Sequence, residues 1–306
     1  MNPPRVSVVI PSARGGPYLR ESVGSVLAQS FADFEVIVVA DGCPDDLDDL
    51  EALDGRIRIV RQANRGVSVA RNVGVRASRS DLIAFLDDDD RMLEGRLAAQ
   101  YEAMDGHDDV AVCHTQFRVI DANGVQVGEG YARPVQYLDL LRGELGVLMP
   151  STAIRKALLQ DVGLFDAALR TGEDVDLLLR LASQVQLTFT PEVLTEYRRH
   201  GNNASRDTVI AGQALAAVLA KHRHLAEVTD EREVSAAAGV GLGRMRRLTS
   251  AGYINQGRRE WRRGKRLAAL RRFAEAARLS PVEAVQDLVG NRRIVRCLRG
   301  AVPRRR

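Results

Sequence analysis

Four short runs rich in β-branched residues, Val6-Ser-Val-Val-Ile10, Glu35-Val-Ile-Val-Val39, Arg56-Ile-Arg-Ile-Val60 and Leu82-Ile-Ala-Phe-Leu86, alternate with helical stretches such as Tyr18 to Gln29 and Val67 to Ala77. That alternation leaves few folds open. Neighbouring parallel strands need a crossover of about a dozen residues or more, usually a helix, so the pattern predicts an α/β domain with a Rossmann-like sheet flanked by helices. Further on, Arg91 to Met104 reads as a helix and Ala111 to Asp121 as a strand entering the turn Asp121-Ala-Asn-Gly124. Ile154 to Gln160 and Glu173 to Ser183 read as helices, and Gln186 to Thr190 and Val193 to Arg198 as late strands.

This first domain is expected over residues 1–205, as a half of about 1–110 and a half of about 111–205. Residues 206–306 lose the strand pattern. Ala211 to Ala220 is alanine-rich, and Lys265 to Leu279 spaces Leu267, Leu270, Ala274 and Ala277 for a helix. Ser280-Pro281-Val282-Glu283 then has the cap, first-turn proline and capping glutamate of another helix start. A smaller helical region, built as a helical hairpin, is expected there.

Charge divides the chain in the same way. Of 306 residues with a formal charge of +4, Arg244 to Arg306 hold 19 Lys and Arg against 4 Asp and Glu, leaving the first 243 with a negative surplus. A basic helical tail suits an anionic surface. It lacks the regularly spaced aromatics of a single-strand stacking platform, so no nucleic acid partner is expected. Cys43, Cys113 and Cys297 form no CxxC pair, which speaks against a zinc site or disulfide framework. With no signal peptide pattern and no apolar run near the roughly 20 residues that span a bilayer, a cytoplasmic protein is expected, peripheral at most to the inner face of the membrane.

The strand Leu82 to Leu86 runs into four consecutive aspartates, Asp87 to Asp90. Like charges this close raise one another's pKa, and a divalent cation relieves them. A solvated acidic turn would also tolerate the run. Its place after a buried strand favours a ligand site, because open α/β sheets bind beyond the carboxyl ends of their strands. Two other strand ends carry polar groups: Pro11-Ser12 after the first, and Asp41-Gly42 after the second, where a carboxylate can accept from a base or ribose. Asn64-Arg-Gly66 precedes a helix bearing Arg71-Asn72-Val-Gly74, which sets a close-approaching backbone and a permanent cation near a helix N-terminus.

Taken in order, these segments resemble the family 2 glycosyltransferases with the GT-A fold. The likeness continues through Pro150-Ser-Thr-Ala-Ile-Arg155, Gly163-Leu-Phe-Asp-Ala167, Gly172-Glu173-Asp174-Val-Asp-Leu and Tyr197-Arg-Arg-His200-Gly201, roughly residues 5 to 205. It implies an inverting transferase, of hexosyltransferase type, that moves a sugar from a nucleotide-diphosphate sugar, with a UDP-linked donor expected, to a hydroxyl of a glycan, lipid-linked or protein acceptor in envelope or extracellular polysaccharide synthesis. The first half would take the donor and the second the acceptor. Carried over by position, Pro11, Asp41, Arg71 and Asp89 bind the nucleotide sugar. Asp90 and Asp89, with Asp87 and His200, hold Mn²⁺ or Mg²⁺, Asp174 is the general base, and Asp88 is spare. Departures exist: Ala40-Asp41-Gly42-Cys43 replaces the usual Asp-Asp-Gly-Ser, and Val175 stands where many relatives have an aromatic. A sugar-phosphate nucleotidyltransferase and a non-catalytic nucleotide-sugar binding module are the competing readings.

Overall fold

The parallel strands form where valine and isoleucine cluster, because such side chains pack well on a pleated surface buried on both faces. A computed structural model of the chain describes residues 3–107, 110–201, 207–281 and 284. The expected boundary near 205, Val282 and Glu283 of the expected helix start, and Cys297 lie outside the described residues. Two compact units are present: Met1–Leu140 with Glu144–Asn203, and Leu141–Gly143 with Ala204–Arg306.

The first unit runs β1 (Val6–Ser12), α1 (Gly16–Leu27), β2 (Phe34–Asp41), α2 (Asp48–Glu51), β3 (Ile57–Gln62), α3 (Val67–Ala77), β4 (Leu82–Phe85), β5 (Arg91–Met92) and α4 (Arg96–Met104). It continues with β6 (Val112–Ile120), β7 (Gln126–Glu129), α5 (Tyr137–Leu141), a 3-10 turn at Met149–Ser151, β8 (Thr152–Arg155), α6 (Lys156–Asp161), α7 (Glu173–Ala182) and β9 (Leu187–Arg198). The strands make one mixed nine-stranded sheet in the order β3-β2-β1-β4-β8-β6-β9-β5, with β7 paired to β6. β1, β2, β3 and β4 are parallel, β8 runs against both β4 and β6, and β6 and β9 are parallel. The carboxyl ends of β1, β2, β4, β6 and β9 therefore share one edge. The mixed sheet flanked by helices is the fold expected.

Every residue of β1 and β2 is buried. Helix α3 lies close on β1 because residue 74 is glycine: a Cβ there would sit 2.3 Å from Val9 Cγ1. Three assignments change. Ile154 and Arg155, expected in a helix, belong to β8, a four-residue strand too short to show a period. Arg91 and Met92 pair with β9, and the helix begins only at Arg96, after Gly95 at φ 84°. The two late strands are one, β9, whose register with β6 shifts where Pro191 interrupts the pairing, since proline offers no N–H to a ladder.

The second unit holds α8 (Thr208–Val228), α9 (Arg232–Arg262) and α10 (Arg266–Leu279) among its described residues, three helices where a hairpin was expected. α9 escapes notice because glycines and arginines dilute its apolar period. Those glycines admit neighbours: a Cβ on Gly257 would meet Phe273 at 2.6 Å. None of the described helices is long and apolar enough to cross a membrane.

Candidate active site

Polar residues at the shared edge are tied to one another by the strands they terminate. Asp41, 3% exposed at the end of β2, accepts from Gln62 Nε2 (2.7 Å) and the Arg65 N–H (2.7 Å) on Oδ1, and from the Gly66 N–H (2.8 Å) on Oδ2. It thus fixes the loop ahead of α3, where Gly66 takes φ 90°. Three internal hydrogen bonds leave this carboxylate little capacity for a ligand. Pro11 lies buried in β1 opposite Val39 of β2.

Arg71, on α3, is 4% exposed and lies between two carboxylates. Its Nη2 donates to Asp87 Oδ1 (2.8 Å), after β4, and its Nη1 to Glu173 Oε1 (3.0 Å), the first residue of α7. Its ring-facing side lies over Phe165, 5.3 Å from the centroid. Its Nε is buried without a partner. Burial opposes the guanidinium's charge, but Asp87 and Glu173 outweigh burial and hold it protonated. Burial, then the Asp174 charge, push Glu173 above the ordinary carboxylate value while Arg71 pulls it down. Asp174 follows in the first turn of α7, after Gly172 at φ 81°, and its Oδ1 accepts from the Val175 N–H at 2.8 Å.

The remaining aspartates diverge. Asp88 holds the end of β1: Ser12 Oγ donates to its Oδ2 at 2.5 Å, and the Gly15 N–H donates to the same Oγ. Burial pushes Asp88 up to about 6, against the pull of Ser12 and with the help of Asp89 and Asp87. Asp89 Oδ2 meets His200 Nε2 at 2.8 Å. Asp90 turns inward and is fully buried; its Oδ1 accepts the Arg198 N–H at 2.8 Å, and its Oδ2 has no partner. Burial, reinforced by the Asp89 and Asp87 charges, pushes Asp90 well above the ordinary carboxylate range.

Sequence reasoning missed the clamp around them. Arg198, 1% exposed, donates Nε to the Asp89 carbonyl (2.8 Å), Nη1 to the Ala122 carbonyl (3.2 Å) and Nη2 to Glu21 (2.5 Å). It stacks over Tyr18 at 4.4 Å, and Tyr18 in turn stands 5.3 Å from the His200 ring. Alternation offered one signal: with Thr195 inside, position 197 and then 199 should face away from whatever buries Glu196 and Arg198, yet two adjacent arginines look alike in a sequence. A third buried arginine, Arg96, donates to the carbonyls of Pro150 (2.6 Å) and Phe85 (2.9 Å), holding β4 at the point where the acidic loop leaves it.

The donor atoms on hand suit a hard divalent ion. An oxygen of Asp89 and a nitrogen of His200 face each other, and the neighbouring Asp90 has an orphaned buried oxygen. Among the described residues no group of three or more His, Cys, Asp or Glu side chains is arranged to hold a metal. An ion here would therefore draw on water and substrate phosphate for the rest of its shell, as magnesium sites commonly do.

Residues 7–162 match the model of the family described as glycosyl transferase family 2. An uncharacterized glycosyltransferase of Rickettsia bellii (strain RML369-C) is 30% identical over 207 residues, 66% of this chain and 30% of the relative. Uncharacterized glycosyltransferase EpsJ of Bacillus subtilis (strain 168) is 42% identical over 91 residues, 28% of this chain and 26% of EpsJ. The chain thus spans about a third or less of the length of these curated relatives. Among solved structures, S. aureus TarS 1-349 in complex with UDP-GlcNAc superposes with a TM-score of 0.60 at 19% identity, covering 89% of this chain and 91% of that one. At that identity the likeness is one of fold.

Proposed function

The chain belongs to glycosyl transferase family 2, and from that premise we propose that it transfers a sugar from a nucleotide-diphosphate sugar to an acceptor hydroxyl with inversion. One observation carries the reading: a single guanidinium, that of Arg71, joins Asp87 of the acidic loop to Glu173, the residue before Asp174. A donor held at the acidic loop then has a carboxylate within the same cleft to serve its acceptor. UDP sugars are the first donors to try, since the similar TarS structure is a complex with UDP-GlcNAc.

In this mechanism the acceptor oxygen attacks the anomeric carbon as the bond from that carbon to the diphosphate oxygen breaks, and Asp174 takes the acceptor proton. A poor hydroxyl nucleophile needs such a base in the transition state. Asp89 and His200 would hold Mn²⁺ or Mg²⁺, which supplies positive charge to the departing diphosphate. Buried and inward-facing, Asp90 acts in this reading as a buttress through the Arg198 N–H, while Asp87 stays engaged with Arg71. Pro11 and Asp41 shape the nucleotide end, Asp41 by fixing the 64–66 loop. Residues 1–205 form the transferase domain in this proposal, and 206–306 the appendage.

The appendage offers exposed Leu267 (78%) and Leu270 (41%) among Arg266 and Arg271. Such a face suits an anionic membrane carrying a lipid-linked acceptor of envelope or extracellular polysaccharide synthesis. Cosedimentation with anionic but not neutral liposomes tests that placement. The transfer itself is tested by a thermal-shift screen of nucleotide sugars with and without Mn²⁺, because a ligand of the native state raises Tm by mass action. A UDP sugar that raises Tm only with Mn²⁺ supports the reading; no response to any nucleotide sugar or nucleoside diphosphate counts against it.

A further inference from the structure

We propose that Arg71 is a positioning residue, which sets the place of the base Asp174 by holding Glu173, and does not itself grip the donor. The inference rests on the transferase reading above. Its observations are internal to the first unit. Arg71 is all but inaccessible, 4% exposed, and both terminal nitrogens are already committed, Nη2 to Asp87 at 2.8 Å and Nη1 to Glu173 at 3.0 Å. Each terminal nitrogen keeps one further N–H, but at 4% exposure the guanidinium presents almost no surface for a diphosphate to meet with the two-pronged geometry by which arginine recognises phosphate.

What it does instead follows from where its partners sit. Asp87 ends the donor side of the sheet, and Glu173 opens α7. Glu173 and Asp174 are adjacent carboxylates in one helical turn, and their repulsion would drive the turn apart if Glu173 had no counter-ion. Arg71 supplies it. Phe165, under the guanidinium, is itself fixed, because Asn72 Oδ1 accepts the Phe165 N–H (2.9 Å) and Asn72 Nδ2 donates to the Phe165 carbonyl (2.8 Å). Neighbouring residues of α3 thus seize both the approach to α7 and its first side chain. A base must be held to within a fraction of an ångström, and a shift of about 1 Å can cost on the order of 10²-fold in rate.

The test follows hydrolysis of a UDP sugar, with water as acceptor, at saturating Mn²⁺. Wild type is compared with Arg71→Met, Arg71→Lys, Glu173→Gln and the double variant Arg71→Met/Glu173→Gln, with Tm recorded for each. Expected is a fall in kcat of about tenfold or more in Arg71→Met and Glu173→Gln, with donor KM and UDP Kd within about threefold of wild type. Arg71→Lys, which keeps the charge, should regain part of the rate, and the double variant should be no slower than the worse single. A rise in KM at constant kcat in Arg71→Met would show direct donor contact and overturn the proposal. So would additive losses. Glu173→Gln keeps the test open if Arg71→Met fails to fold, since it removes one charge and no volume. Asp174→Asn separates the two levels: wild-type hydrolysis in Asp174→Asn defeats the base assignment, whereas slow Asp174→Asn beside fully active, folded Arg71 and Glu173 variants defeats only the positioning role.

Discussion

The backbone N–H of Arg198 donates to Asp90 Oδ1 at 2.8 Å, so the end of β9 grips the acidic loop from beneath, 108 positions away in sequence. The Arg198 side chain adds bonds to the Asp89 and Ala122 carbonyls and to Glu21. Arg198→Met removes the side-chain contacts while keeping the N–H. It takes one donor each from the Asp89 and Ala122 carbonyls and the counter-ion from Glu21, the Ala122 carbonyl keeping the Tyr18 hydroxyl at 3.1 Å, and a loss of about 3 kcal/mol is expected in urea unfolding, as for other buried partners removed singly. A change under about 0.5 kcal/mol, the scale of an ordinary surface substitution, would deny the clamp its structural weight.

Asp174→Asn keeps the size and the hydrogen-bonding shape of the first turn of α7 but cannot accept a proton. Turnover should fall about 10²- to 10⁴-fold with UDP affinity unchanged, the range for loss of a general base. Calorimetry for UDP and single-turnover kinetics check the two halves of that statement.

Metal dependence should reside in Asp89 and His200. In His200→Ala the gain in UDP affinity on adding Mn²⁺ should shrink about tenfold, the lower end of what a lost ligand or its support costs. Affinity measured in EDTA should match wild type. Equal loss with and without the ion would make His200 a direct contact of the nucleotide.

His114, on β6, is fully buried; neither ring nitrogen has a partner, and burial pushes it down to about 4 from 6.5. The unfolded chain takes up a proton below about 6.5 that the folded chain refuses until about 4. Unfolding free energy therefore rises with pH through that window, is complete above it, and below it is lower by about 3 kcal/mol at most. His114→Leu should flatten the wild-type slope between pH 4 and 6.5, measured by urea unfolding at each pH.

At Gly74 the expected defect is overpacking. Gly74→Ala forces a methyl toward Val9 Cγ1, 2.3 Å from the ideal position, and should cost about 1–3 kcal/mol. Val9→Ala, itself destabilising, should recover part of the loss in the double variant, a coupling that a thermodynamic cycle reads directly.

How much of this was legible beforehand depended on length and on locality. α3 was expected at Val67 to Ala77 and occupies those residues, because eleven residues with one apolar face show their period. The four parallel strands carry β-branched runs that nothing else explains. β8 was misread because four residues show no period, and its strand character comes from the neighbours β4 and β6. In the site, the aspartates announced themselves by charge density, but their division of labour did not. Asp88 faces Ser12, Asp89 faces His200 and Asp90 faces inward because of partners 76, 111 and 108 positions distant. Arg71 was noticed as a cation, while its burial between two carboxylates is a property of three segments meeting.

The reversed strand β8 has a further consequence. By running against β4 and β6 it lets both point the same way while remaining in one sheet, so the loop after β4 and the Asp121 to Gly124 turn after β6 open onto the same solvent. The two come from separate stretches of chain and share few covalent constraints. Arg198 nevertheless joins them, through the Asp89 and Ala122 carbonyls, so a change in the length of the β6–β7 hairpin would be felt at the acidic loop.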